Sequence, residues 1–144
     1  MTATRPYRAR LDVQFGDIDQ ARIVYYPRFI HYFHVAMEQF FHDVVGQDYP
    51  TVMNEHRLGH PTVHLDVDFK IPLRYGDKVE IEVEIGNIGD TSVIWDYRVF
   101  TKGSPELHAR GRVVTVNINL DTFEKTPLPE WLRDRLVEYA NRAG

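Results

Sequence analysis

Between Pro27 and Val45 the apolar residues recur at helical spacing, over a length matched nowhere else in the chain. At about 100° per residue, Phe29, Phe33, Ala36, Met37, Phe40 and Val44 share one face, and His31, His34, Glu38 and His42 share the opposite one. Pro27 suits the first helical position, where a missing N–H costs nothing, and Gly46 suits the position just past the end. An apolar stripe of that length must be covered, and no second helix of comparable length is available to cover it. The strands of the chain have to do so.

Those strands are legible as a change of period. Val63, Leu65, Val67 and Phe69 alternate with His64, Asp66, Asp68 and Lys70, which predicts a strand from Thr62 to near Leu73, ended by the turn RYGDK. Val79, Ile81, Val83 and Ile85 alternate with Glu80, Glu82 and Glu84, giving a strand with one wet face. Gly89-Asp90 turns the chain into SVIWDYRVF, and Lys102-Gly103-Ser104-Pro105 turns it again into a strand from about Leu107 to Leu120. Ahead of the helix, residues 7–15 alternate with Leu11, Val13 and Phe15 on one side. The polar segment after Gly46, up to Pro61, is expected to be a connecting loop with room for a short helical turn, long enough to reach over a pocket. A closing helix is expected over Glu130–Asn141, with Trp131, Leu132, Leu136 and Tyr139 as its apolar side.

The order strand, long helix, four strands, short helix defines an α+β class. Its simplest burial is an antiparallel sheet wrapped around one long central helix, plus a short C-terminal helix, in a single domain covering 1–144. This is the hot-dog fold. Open sheet edges of this kind pair across a two-fold axis, so a homodimer or homotetramer with sites between subunits is expected.

Composition removes several function classes. The chain has no cysteine, which excludes disulfides, thiolate metal sites and a cysteine nucleophile and makes a reducing cytoplasm the default location. A formal charge of −4 argues against nucleic acid as a partner. No apolar run approaches a membrane span, and the N-terminal MTATRPYRAR lacks the apolar core of a signal peptide.

The chemistry concentrates in FGDIDQARIVYYPRFIHYF, from Phe15 to Phe33, an acidic loop feeding the helix start. Free N–H groups near Tyr26 would stand at the positive end of the helix dipole, where a carbonyl gaining negative charge is stabilised. Asp19 reads either as a turn or capping aspartate or as a catalytic carboxylate. Asp17 reads better as a structural residue whose oxygens take loop N–H groups. The stripe of His31, His34, Glu38 and His42 has ligand chemistry, yet ligands in line along one helix cannot all converge on one ion, so no metal is expected and the stripe reads as a solvated or oligomer-contact face. His60 lies where the connecting loop meets a strand and is a candidate substrate contact, whereas His64 reads as an exposed strand residue. Tyr25 and Tyr26 line a pocket or the core, Phe29 the core, and Ser92 flanks a hairpin as turn residue or substrate contact.

The run Phe15-Gly16-Asp17-Ile18-Asp19 followed by Ile23-Val24-Tyr25-Tyr26-Pro27 resembles the signature of the hydroxybenzoyl-CoA thioesterase family. Gly59-His60-Pro61, Phe69-Lys70-Ile71-Pro72 and Tyr75-Gly76-Asp77 fit its strand pattern, so the resemblance covers nearly the whole chain. It implies an acyl-CoA thioesterase acting on an aromatic or short-chain acyl group without a cofactor. Asp19 is the implied catalytic carboxylate, as nucleophile or general base, and the Tyr26 backbone N–H the implied carbonyl-polarising donor. The tyrosine at that position is closer to aryl-type members than the histidine of short-chain types. Substrate contacts are expected from Arg22, Tyr25, His60 and Ser92. Two departures stand out: Arg22 occupies a usual glycine, and Gly89-Asp90-Thr91 replaces basic residues that hold the CoA nucleotide in some aryl-type members. Lys70, Arg74, Lys102, Arg110 and Arg112 are the candidates to replace them. The same departures motivate an alternative, a non-hydrolytic hot-dog protein that binds acyl-CoA or an acyl carrier protein; a hot-dog dehydratase is weaker, since no histidine stands at the helix start.

Overall fold

The computed structural model describes residues 6–142. Strand β1 (Tyr7–Asp12) is followed by a 3-10 turn at Phe15–Asp17 and by helix α1 (Pro27–Phe40), which runs on through one π turn, Phe41–Val45. Then come α2 (Tyr49–Asn54), β2 (Leu58–Gly59), β3 (Thr62–Phe69), β4 (Lys78–Ile88), β5 (Ser92–Thr101), β6 (Ala109–Val116), β7 (Ile118–Asn119) and α3 (Glu130–Asn141). Five strands form one antiparallel sheet in the order β1-β4-β5-β6-β3, and β2 pairs with β7 in a separate ribbon.

The long helix lies on one face of this sheet with the expected bounds. Gly46 ends it in the left-handed region at φ 85°, its N–H returning to the Phe41 carbonyl at 2.8 Å. Phe29, Phe33, Ala36, Met37, Phe40 and Val44 are all buried, joined by Tyr32 and Phe41, so the stripe is wider than its spacing suggested. Phe33 lies flat on Tyr97, centroids 5.1 Å apart and 8° from parallel, directly over Gly111. A Cβ at Gly111 would stand 2.4 Å from the Phe33 ring, so glycine lets the helix seat this closely. Phe40 meets Trp95 and Tyr139 edge-on. The closing helix is tied in by Tyr139, whose hydroxyl donates to the Val83 carbonyl at 2.6 Å and accepts from the Tyr7 N–H at 2.7 Å.

Val79, Ile81, Val83 and Ile85 point inward as expected, and their glutamates stand on the outer face. Arg8 covers that face, bonding Glu80 at 2.9 Å and Glu82 at 2.7 Å.

Four boundaries differ from the sequence reading. β1 stops at Asp12, and Phe15, placed by alternation with Leu11 and Val13, is 73% exposed because the 3-10 turn breaks the period. β3 ends at Phe69, not near Leu73: the N–H groups of both Lys70 and Ile71 turn to the His108 carbonyl, and Pro72 has none to offer. The last long strand begins at Ala109, not Leu107, and breaks at Asn117, whose side-chain amide donates to the Thr126 and Pro127 carbonyls and draws the following segment across. The connecting segment, by contrast, does carry the short helical turn it had room for, α2, with Asp48 capping it through the Thr51 N–H at 3.0 Å.

Strand β3 lies at a sheet edge, so its alternation buries less than its sequence implies. Leu65 and Val67 are half-buried, whereas Val63 is 60% and Phe69 48% exposed.

Candidate active site

Residues 18–24 form a tight hairpin that presents Asp19. Ile18 bridges Val24, the Asp19 N–H reaches the Ile23 carbonyl at 3.0 Å, and the Arg22 N–H returns to the Asp19 carbonyl at 2.9 Å. Closing so short a loop needs a left-handed residue near its end, and Arg22 takes that role at φ 66°. A usual glycine at this position is therefore explained by backbone geometry, and the arginine satisfies the same geometry at some steric cost. The Asp19 side chain is exposed. Its Oδ1 accepts from the Ala21 N–H at 2.8 Å, and its Oδ2 has no partner among the described residues. The turn-aspartate role and a free carboxylate oxygen coexist in one side chain.

Asp17 is its opposite. It is 8% exposed, and its Oδ2 accepts from the Gln14 N–H at 2.9 Å and the Tyr32 hydroxyl at 2.8 Å, with Arg28 Nε 3.7 Å from Oδ1. Burial, then this carboxylate, hold the Tyr32 hydroxyl well above the usual phenol range. The loop is thus pinned to α1 through Asp17, as its structural reading required.

The hairpin hands directly to the helix. The Tyr25 N–H donates to the Asp17 carbonyl at 2.9 Å, Arg28 and Phe29 donate back to the Tyr25 and Tyr26 carbonyls, and Pro27 has no donor. The Tyr26 N–H is left without an acceptor among the described residues, at the positive end of α1 and with no acidic residue in the first turn. Tyr25 and Tyr26 are exposed and pack edge-on at 5.3 Å, Tyr26 reaching Phe69 at 6.2 Å. Phe29 is core, as expected.

His60 and Ser92 stand elsewhere. The Asp19 hairpin is anchored where β4 begins, through Val24 to Leu73 and Val13 to Asp77. Ser92 pairs with Val116, and Pro61 accepts from the same Val116, at the far end of β5. Within one chain the ten-residue β5 therefore separates the two groups, on the order of 30 Å at ~3.4 Å per residue. His60 is held by Tyr49, whose hydroxyl meets Nδ1 at 3.1 Å, and by the Phe41 ring at 5.5 Å. Its Nε2 is buried without a hydrogen-bond partner, as is Asn117 Oδ1. Burial pushes the imidazole down to about 4, the Asn117 side chain pulling weakly the other way, so His60 is neutral at physiological pH.

Between α1 and the strands β3, β5 and β6 lies a cavity of about 460 Å³, walled by Phe33, Met37, Leu65, Tyr97 and Val113, with His60 at one side. His31 and His34 also face it, which their position opposite the apolar stripe did not suggest. The histidine stripe is otherwise divided into pairs, His34 with Glu38 and His42 with Asp43, each at 2.8 Å. Among the described residues no three histidine, aspartate or glutamate side chains cluster as a metal site would require. His64 is exposed and bonds Asp66 at 2.8 Å. No helix of the described residues is long and apolar enough to cross a membrane.

Residues 13–136 match the family model described as the thioesterase-like superfamily. A 1,4-dihydroxy-2-naphthoyl-CoA hydrolase from Crocosphaera subtropica is 31% identical over 126 residues, which cover 84% of this chain and 91% of that one. Among solved structures, a gentisyl-coenzyme A thioesterase superposes with a TM-score of 0.80 at 28% identity, covering 88% of this chain and 99% of the other. A 1,4-dihydroxy-2-naphthoyl-CoA thioesterase from Synechocystis gives 0.83 at 24% identity over 92% and 96%, and supports the hot-dog fold. By the extent of the family match and by these relatives, the chain belongs to the thioesterase-like superfamily.

Proposed function

We propose that this thioesterase hydrolyses an aromatic acyl-CoA to the free acid and CoA, with Asp19 as its catalytic carboxylate. The observation that carries the reading is the pairing of an exposed carboxylate with a free oxygen, Asp19, and a free N–H at the α1 terminus, Tyr26, on one hairpin. The Tyr26 N–H and the helix dipole stabilise the carbonyl oxygen as it gains charge. Asp19 either attacks the carbonyl carbon, giving a mixed anhydride and releasing the thiolate, after which water cleaves the anhydride to the free acid and restores the carboxylate, or takes a proton from a water that itself attacks the carbonyl carbon and displaces the thiolate. Relatives named for dihydroxynaphthoyl and gentisyl thioesters support the aromatic acyl group over a short-chain one. Arg22 and Tyr25 contact the substrate beside Asp19, and the setting is cytoplasmic.

His60 and Ser92 join the site through a second copy of the chain. β3 is an eight-residue edge strand free of proline, with Val63 and Phe69 exposed along it. A two-fold axis normal to the sheet pairs β3 antiparallel with itself, which sets the His60 and Ser92 end of one copy beside the Asp19 end of the other. A homodimer is the smallest complete unit, and a homotetramer would stack two of them.

The binding-only alternative loses one of its two motives, since Arg22 serves the hairpin turn. The test is thiol release from a panel of aryl-, short- and medium-chain acyl-CoA thioesters, wild type beside Asp19→Ala; the cysteine-free chain adds no background thiol. Selective turnover of aryl thioesters that falls by about two orders of magnitude or more in the variant is expected. Equal turnover by both proteins removes Asp19 from the mechanism.

A further inference from the structure

We propose that Arg22 makes this site selective for aromatic acyl groups that carry a carboxylate on the ring, its guanidinium gripping that second anion while Asp19 acts at the thioester carbonyl. This rests on the thioesterase reading above and narrows its substrate class.

Two arginines among the described residues stand in the left-handed region, Arg22 at φ 66° and Arg57 at φ 57°. A side chain makes that conformation costly. For Arg57 the compensation lies within the chain, where its Nε and Nη2 donate to Asp121 at 3.1 and 2.9 Å. Arg22 is exposed, and its guanidinium has no carboxylate or aromatic partner among the described residues. Strain kept without a local bond points to a partner from outside the chain.

The position of Arg22 says which partner. Its N–H closes a turn on the Asp19 carbonyl at 2.9 Å, and a turn of this kind keeps its two end Cα atoms within about 7 Å. A cation and a carboxylate are therefore presented side by side, yet they do not pair: Asp19 Oδ1 takes the Ala21 N–H and Oδ2 stays open. The next cation along the chain, Arg28, is turned to Asp17 at 3.7 Å. A ligand that brings an electrophilic carbonyl to Asp19 and an anion to Arg22 uses both groups, and an aromatic ring is a rigid spacer between them. Without the guanidinium, a ring carboxylate this near Asp19 would meet like charge. The planar guanidinium fork matches a carboxylate in two parallel bonds, which orients the ring as well as holding it. The phosphates of CoA stand at the far end of the pantetheine arm from the carbonyl carbon, so the anion at Arg22 is one borne by the acyl group.

The test compares 3-carboxybenzoyl-CoA with benzoyl-CoA in the wild type, Arg22→Lys, Arg22→Gly and Arg22→Glu. Its readout is the ratio of kcat/KM for the two acyl groups, in which contacts to CoA cancel. The wild type should favour the carboxylated substrate by roughly tenfold, Arg22→Lys less, Arg22→Gly not at all, and Arg22→Glu should reverse the order. The wild-type preference should persist on N-acetylcysteamine thioesters, which carry no phosphate, and should shrink as salt rises toward roughly 0.5 M. The thioethers 3-carboxybenzyl-CoA and benzyl-CoA, which cannot be hydrolysed, give a Kd ratio by calorimetry that is independent of turnover. A wild-type ratio near one, or a ratio unmoved by Arg22→Gly, would overturn the proposal and leave thioester hydrolysis standing. So would an Arg22 effect confined to CoA carriers, which assigns the guanidinium to the phosphates, or an equal fall for both acyl groups with loss of the dimer on a sizing column, which assigns it to a second copy. A wild type that hydrolyses neither thioester, yet binds the carboxylated thioether more tightly through Arg22, would instead overturn the catalytic reading and leave this one standing.

Discussion

Gly111→Ala tests the packing that sets the active helix in place. The new Cβ would meet Phe33 Cε2 at 2.4 Å and Cζ at 2.6 Å, roughly 1 Å short of ordinary carbon contact. The ring has nowhere to retreat, because it is 1% exposed and stacked within 8° of parallel on Tyr97, itself 2% exposed. The helix must lift or the strand must bow. Overpacking of this kind costs about 1–3 kcal/mol, and the absence of slack points to the upper end. For a chain of this size each kcal/mol lowers Tm by about 3–5 °C, so a fall of roughly 10 °C is expected. Thermal unfolding followed by circular dichroism at fixed protein concentration reads it, and Phe33→Leu supplies the control. In that background the added methyl has room, and the cost of Gly111→Ala should drop below about 1 kcal/mol. Activity should suffer as well, since a displacement near 1 Å at the helix moves the Tyr26 N–H relative to Asp19 and costs up to ~100-fold in rate. An unchanged Tm, or the same cost with and without the Phe33 ring, would refute the claim that this contact seats α1.

His60 carries a pH dependence of stability. Burial holds it at about 4 in the folded protein, below the ordinary imidazole value of 6.5, so between these the unfolded chain binds the extra proton and stability falls as pH drops from 6.5 toward 4, by up to roughly 3 kcal/mol, then levels. Urea unfolding between pH 4 and 7 should show this slope, and His60→Gln should flatten it; an unchanged slope would mean another group is responsible. Arg22→Gly relieves a left-handed non-glycine residue, worth ~1–2 kcal/mol, against ~0.5–1 kcal/mol of added unfolded-state freedom. A net gain of about 0.5–1 kcal/mol is expected together with a higher KM for the acyl-CoA, and a loss of stability would show that the arginine side chain itself holds the hairpin.

The central helix was legible because its stripe follows from spacing alone, and the same holds for the four sheet strands after it. The short turns at Gly89-Asp90 and Lys102-Gly103-Ser104-Pro105 also made neighbours of β4, β5 and β6, but the places of β1 and β3 at the two edges were not legible, because alternation says which face is buried and not which strands are neighbours. That is why β3 read as half-buried along its length, although at the sheet edge Val63 and Phe69 have no strand on one side to cover them. The split of the candidate residues was hidden for the same reason: Tyr25 and Tyr26 are tied to Asp19 by a local hairpin, whereas His60 and Ser92 are placed by long-range pairing with β6 and β7. The break at Asn117 depends on a side-chain amide bonding carbonyls nine and ten residues on, which no local pattern encodes. His31 and His34, read as part of a solvated or oligomer-contact face, are exposed as expected, and in addition they border the cavity between α1 and β3, β5 and β6, which spacing along the helix does not encode.

The division of labour between Asp17 and Asp19 follows from the turn that broke the strand. Had the alternation of Leu11, Val13 and Phe15 continued, Asp17 and Asp19 would have pointed to one face, two like charges disfavouring each other's ionisation. The 3-10 turn at Phe15–Asp17 rotates the backbone before Ile18 resumes an extended conformation. Phe15 is thrown outward by that rotation and Asp17 inward, beneath Tyr32 on α1. Asp17 then finds a backbone N–H and a hydroxyl for one oxygen and the Arg28 side chain near the other, so its charge is absorbed in fixing the loop. Asp19, past the turn, keeps a single backbone donor on one oxygen and leaves the other open. One 3-10 turn thus separates the carboxylate that holds the hairpin against the helix from the carboxylate that the hairpin presents.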